Sequence, residues 1–98
     1  MTIWLVTRHP GAIEWVARQG IQWDKHAAHL DPCEITAGDT VIGSLPINLA
    51  AEICNRGARY FNLSLNLPAH LRGRELDAAT LTACEARLEE YIVKKVNS

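Results

Sequence analysis

The chain has 98 residues, 48% of them hydrophobic, and a formal net charge of −1. That length supports one domain over residues 1–98 with a core of its own, and a subunit interface would add usefully to its buried apolar area, so a homodimer is expected. The near-zero charge excludes the broad basic field that holds long nucleic acid, and no charged-then-apolar leader or bilayer-length apolar run is present, so a cytoplasmic protein without membrane association is expected.

The first predicted element is the strand Ile3-Trp4-Leu5-Val6, which breaks at Thr7-Arg8-His9 into Pro10-Gly11. A short continuous β-branched and aromatic run is the pattern of a buried α/β strand, and ligands bind beyond the carboxyl ends of such strands. Arg8 and His9 therefore stand where chemistry is expected. Ala12, Trp15, Val16 and Gln19 then share one face of a helix that Gly20 is placed to end.

A weaker strand reads Lys25 to Leu30, stopped by Asp31-Pro32, and the turn Ala37-Gly38-Asp39 leads into a third strand, Thr40 to Ser44. The connection between these two strands is short for a parallel crossover, which leaves their relative direction open. Pro46 suits the start of a second helix and Gly57 its left-handed exit, with Ile47, Ala50, Ala51 and Cys54 expected on the buried side. The fourth strand runs Arg59 to Leu65. A polar loop from Asn66 to Leu76 follows, and Asp77 is placed to cap a last helix whose stripe continues through Leu81, Cys84, Leu88, Tyr91 or Ile92, and Lys95 or Val96, with Glu90 and Lys94 paired on its outer side. The whole reads as an α/β fold of three layers with a mainly parallel sheet of about four strands.

Three cysteines without CxxC spacing argue against a disulfide framework and a structural zinc site. Cys54 and Cys84 fit as small core residues, and nothing beside Cys33 activates it. Trp4 and Trp15 read as core, not as stacking platforms. His29 and Asp31 match no metal-ligand spacing with His9, and Arg56 and Arg59 suit salt bridging at the far end of the sheet.

With the first, third and fourth strands parallel, their carboxyl ends gather Thr7-Arg8-His9, Gly43-Ser44 and Asn66, with Arg72 and Arg74 following in the loop. Planar guanidinium forks and neutral donors in one place suit phosphate. Neither the GxxxxGK[ST] loop nor GxGxxG is present, so a nucleoside triphosphatase and a dinucleotide dehydrogenase are unsupported.

The ordered set Arg8-His9-Pro10-Gly11-Ala12, His29-Leu30-Asp31, Gly38-Asp39, Val41-Ile42-Gly43, Leu45-Pro46, Arg56-Gly57-Ala58-Arg59-Tyr60, Leu63-Ser64-Leu65 and Arg72-Gly73-Arg74-Glu75-Leu76 resembles the small CRISPR-associated accessory proteins of the Csx group found beside type III systems. The resemblance covers the chain up to Leu76. It implies a compact Rossmann-like fold related to the domains that sense cyclic oligoadenylate, and a homodimer that binds one such ring across its dyad. It further implies ring-nuclease activity, which cuts cyclic tetra-adenylate to linear products and ends the antiviral signal. On the matched positions, Arg8 is the expected phosphate clamp and His9 the general base or acid. Thr7, Gly43, Ser44, Asn48, Asn66, Arg72 and Arg74 are the expected ligand-binding residues. No cofactor or metal is expected. The rival readings are a sink that binds the ring without cutting it, using the same arginines, and an interaction subunit that docks another protein and has no nucleotide affinity.

Overall fold

The computed structural model describes residues 1–96. Five strands form one sheet: β1 (Ile3–Val6), β2 (Lys25–Ala27), β3 (Thr40–Gly43), β4 (Arg59–Ser64) and β5 (Arg87–Tyr91). Three helices accompany them: α1 (Pro10–Arg18), α2 (Ile47–Asn55) and α3 (Ala78–Ala83). The strand order is β2-β1-β3-β4-β5; β1 to β4 run parallel and β5 runs antiparallel to β4. Among the described residues, no helix is long and apolar enough to cross a membrane.

Alternation along the strands divides the core in two. Trp4 and Val6 of β1, Val41 of β3 and Tyr60 of β4 face one way and pack with Ala50 and Ile53 of α2 and with Ile35. Leu5 and Ile42 face the other way and pack with Ala12, Trp15 and Val16 of α1 and with Ala78 and Leu81 of α3. Fully burying a side chain such as Val16 or Ile53 contributes about 1.5–3 kcal/mol, so each of these pairs of layers is held mainly by a few residues. Trp4 and Trp15 are both core residues, and half-buried Trp23 packs against the second cluster.

The direction of β2 is now settled. It pairs in parallel with β1 at Trp4↔Lys25 through Val6↔Ala27, on the side of β1 away from β3. The chain from residue 28 to 39 therefore crosses over β1 to reach β3. A 3-10 turn at Pro32–Glu34, capped by the Asp31 carboxylate accepting from the Cys33 N–H at 3.0 Å, does the work of a crossover helix. Strand β2 ends at Ala27, not Leu30, because the segment from Ala28 leaves the sheet edge for that crossing.

Two sequence expectations are corrected. Ile47 does not face the core: it is 77% exposed, and Ala50 and Ile53 are the buried residues of α2. This helix is apolar on two neighbouring arcs, so periodicity alone does not choose between them; the sheet takes the arc of Ala50 and Ile53. The last helix is also wrong beyond its first turns. Asp77 caps it as expected, accepting from the Thr80 N–H at 2.7 Å, and Leu76 and Leu81 both join the core. The helix then stops at Ala83, and Arg87–Tyr91 becomes the fifth strand of a sheet expected to have about four.

The helix ends in a Schellman turn. The Glu85 N–H donates to the Thr82 carbonyl and the Ala86 N–H to the Leu81 carbonyl, both at 3.0 Å, with Glu85 at φ 60°. The same pattern closes α2, where the Gly57 N–H reaches Cys54 O and the Ala58 N–H reaches Ile53 O, with Gly57 at φ 91°. Glycine marks the second turn in the sequence; glutamate hides the first. Glu90, expected to pair with Lys94 on a helix, instead takes a bidentate bond from Arg59 across β4 and β5, at 2.8 and 3.0 Å.

Candidate functional site

A cavity of about 480 Å³ opens at the carboxyl ends of β1, β3 and β4. It lies beside the point where the chain order reverses: β1 is followed in the sheet by β2 on one side and β3 on the other, which is where open α/β sheets bind ligands. Its volume falls within the range of ligand pockets. The floor is aliphatic, from Leu5, Val16, Ile42, Leu63, Leu65 and Leu81, and the rim carries Arg8, His9, His29, Ser44 and Arg74.

Local structure explains the rim. Strand β1 delivers Thr7, whose Oγ1 accepts the His9 N–H at 3.1 Å and whose carbonyl accepts from His26 Nε2 at 2.7 Å. Two bonds thus hold the backbone beneath Arg8. His9 is the N-cap of α1 in extended geometry, with Pro10 setting the first helical residue. Ser44 follows β3, and its hydroxyl donates to the Leu63 carbonyl at 3.2 Å.

The turn after Ser44 is pinned from below. Buried Tyr60 accepts the Leu45 N–H at 2.9 Å and donates to Asn62 Oδ1 at 2.6 Å; the Asn62 amide in turn donates to Ser64 Oγ at 2.8 Å. Burial raises the Tyr60 pKa, so its proton stays in this chain of bonds.

The loop after β4 is brought in by a close backbone approach. A Cβ on Gly11 would fall inside the Leu76 carbonyl oxygen and 2.9 Å from Asp77 Cα, so only glycine lets the start of α1 meet this segment. Immediately before that contact, His9 Nδ1 lies 2.9 Å from Glu75 Oε1, and Arg74 joins the pocket lining.

Of the nine residues singled out from the sequence, Thr7, Arg8, His9, Gly43, Ser44 and Arg74 line this one cavity. The other three lie elsewhere. Asn66 is drawn into the α3–β5 turn, where its side-chain amide donates to Glu85 at 2.8 Å and its backbone N–H to Cys84 O. Asn48 is exposed on α2 and Arg72 exposed in the loop, both outside the cavity wall. Sequence reasoning missed Glu75 and the leucine floor, and weighed His29 only as a metal ligand. The leucines alternate in β4 and were visible as a pattern, but Glu75 is 66 positions from His9 and carried no local signal.

Among the described residues, no group of three or more His, Cys, Asp or Glu side chains is placed to hold a metal ion. Cys33 is exposed, Cys54 half-buried and Cys84 buried, and none lines the cavity.

A mixed sheet with helices on both faces and a ligand-sized, cation-rimmed cavity at its carboxyl edge defines an α/β protein with a pocket at the topological switch. Residues 4–94 match the family described as "Putative CRISPR-associated protein (Cas_VVA1548)", and the chain belongs to that family. No curated protein and no solved structure matches it.

Proposed function

We propose that this CRISPR-associated protein is a ring nuclease that opens a cyclic oligoadenylate messenger, with cyclic tetra-adenylate the first substrate to test, and thereby ends type III antiviral signalling. The observation that carries the reading is the convergence of Arg8, His9 and Arg74 on the rim of one 480 Å³ cavity. Guanidinium groups clamp phosphate, and an imidazole nitrogen can accept a proton and give it back. The cavity has room for roughly one nucleotide unit, not for a whole ring. A two-fold homodimer of this α/β domain would present two such cavities to a ligand with its own two-fold symmetry.

In this mechanism a ribose 2′-oxygen attacks the adjacent phosphorus and the bond from phosphorus to the 5′-oxygen breaks. His9 takes the 2′-hydroxyl proton and returns it to the leaving 5′-oxygen, while Arg8 and Arg74 hold the phosphoryl oxygens. The products end in a 2′,3′-cyclic phosphate and a 5′-hydroxyl. Because the nucleophile belongs to the substrate, the reaction has no need of a metal-bound water. The test is incubation with cyclic tetra-adenylate in excess EDTA, with products identified by mass, for the wild type, Arg8→Ala and His9→Ala. Linear cyclic-phosphate products that disappear in the variants support the reading. Bound but intact ring would make the protein a sink, and unchanged cleavage in both variants would remove Arg8 and His9 from the mechanism.

A further inference from the structure

The pair His9–Glu75 has a geometry that neither stability nor ligand binding explains. Both side chains are largely exposed, 51% and 63%, so their 2.9 Å contact adds little to folding. The surrounding rim is cationic, from Arg8 and Arg74, and a carboxylate beside it weakens the attraction for an anionic ligand. Yet the fold delivers Glu75 to this spot through the Gly11–Leu76 backbone approach two residues beyond His9. We infer that Glu75 is a positioning residue that holds the His9 imidazole in one orientation and one tautomer. This rests on the role of His9 proposed above.

The chemistry follows from donor count. An ionised carboxylate only accepts, so the neutral His9 ring keeps its proton on Nδ1 and presents Nε2 as a lone pair. Nε2 has no hydrogen-bond partner among the described residues. It is therefore the nitrogen available to take the 2′-hydroxyl proton and, as Nε2–H of the imidazolium, to give it to the 5′-oxygen. Glu75 keeps its own protonation state throughout and stabilises the transient imidazolium. Glu75→Ala removes the acceptor and with it the bias toward Nδ1–H, whereas Glu75→Gln keeps an amide oxygen that can still accept from Nδ1 but carries no charge to stabilise the imidazolium.

Three measurements on the full chain test this: imidazole nitrogen NMR at neutral pH for the wild type and Glu75→Ala, single-turnover cleavage of cyclic tetra-adenylate, and ring affinity. The inference expects the Nδ1–H tautomer in the wild type and a shift toward Nε2–H in Glu75→Ala. It expects cleavage by Glu75→Gln and Glu75→Ala to slow about 10- to 100-fold, part of the range for acid–base catalysis, with ring affinity equal or tighter. An unchanged tautomer overturns it whatever the kinetics. Full-rate cleavage by the Glu75 variants with an inactive His9→Ala overturns the Glu75 role alone, whereas full-rate cleavage by His9→Ala overturns the role of His9 and this inference with it.

Discussion

Replacing Gly11 with alanine tests the contact that joins the fold to the site. In α1 the substitution would ordinarily stabilise, because glycine is about 0.8–1.0 kcal/mol worse than alanine in a helix interior. Here the new Cβ would overlap the Leu76 carbonyl oxygen and lie 2.9 Å from both Leu76 C and Asp77 Cα. All three atoms are backbone, so no rotamer change relieves the overlap; the start of α1 or the 66–77 segment must move. Overpacking of this kind costs about 1–3 kcal/mol, and rigid neighbours place it at the upper end. Net of the helix gain, the variant should lose about 2 kcal/mol, equivalent to roughly 8–16 °C in Tm for a domain of this size. Thermal unfolding by circular dichroism measures it, with Ala17→Gly on the exposed face of α1 as the control for helix propensity. The displacement should also separate His9 from Glu75, so the Gly11→Ala imidazole should lose its Nδ1–H preference. A variant that melts within 2 °C of the wild type and keeps that tautomer would refute the close approach.

Asp39 is the buried acid of the domain; its two oxygens accept the Thr2 and Thr36 N–H groups, each at 3.0 Å. Burial by itself pushes its pKa up, but the Thr36 and Thr2 backbone bonds, the Thr36 hydroxyl and the nearby Trp4 indole together outweigh it, and the net direction is down from 3.8. A carboxyl lowered in the folded state adds stability above its unfolded pKa and loses that contribution as pH falls through the folded value. Asp39→Asn should therefore cost about 2 kcal/mol in urea unfolding at pH 7, with the difference from wild type shrinking as pH drops below the ordinary carboxyl value; an offset constant down to the acid limit would contradict this. Tyr60→Phe leaves the Leu45 N–H without its acceptor and Asn62 without its donor, and should cost about 1–3 kcal/mol at unchanged urea m-value, with faster amide exchange at Leu45. Exchange at Leu45 equal to wild type would show that the hydroxyl does not pin the turn after β3.

The position of the cavity connects these predictions to function. Its polar rim comes from the two ends of a seam, Arg8 and His9 before α1 and Arg74 after β4, and that seam closes at Gly11. Anything that moves the seam changes the rim while leaving the leucine floor in place.

Elements whose signals are local were legible in the order of residues alone. Ile3 to Val6 reads as a buried strand because its residues are apolar on both faces; Pro10 starts α1; Gly57 ends α2 because a left-handed residue without a Cβ is unstrained. Thr7, Arg8, His9, Gly43 and Ser44 were legible as site candidates because the carboxyl ends of parallel strands are a general place for ligands. Tertiary structure decided the rest. Glu85 takes a left-handed turn that its side chain disfavours, held by the Schellman bonds and by the amide of Asn66, and that turn converts an expected helix into an antiparallel edge strand. The same bond takes Asn66 away from the cavity. The partnership of His9 with Glu75 was invisible because it spans 66 positions and depends on two backbones meeting at a glycine. Local propensity acts over a few residues of chain, whereas such contacts exist only after distant segments have packed.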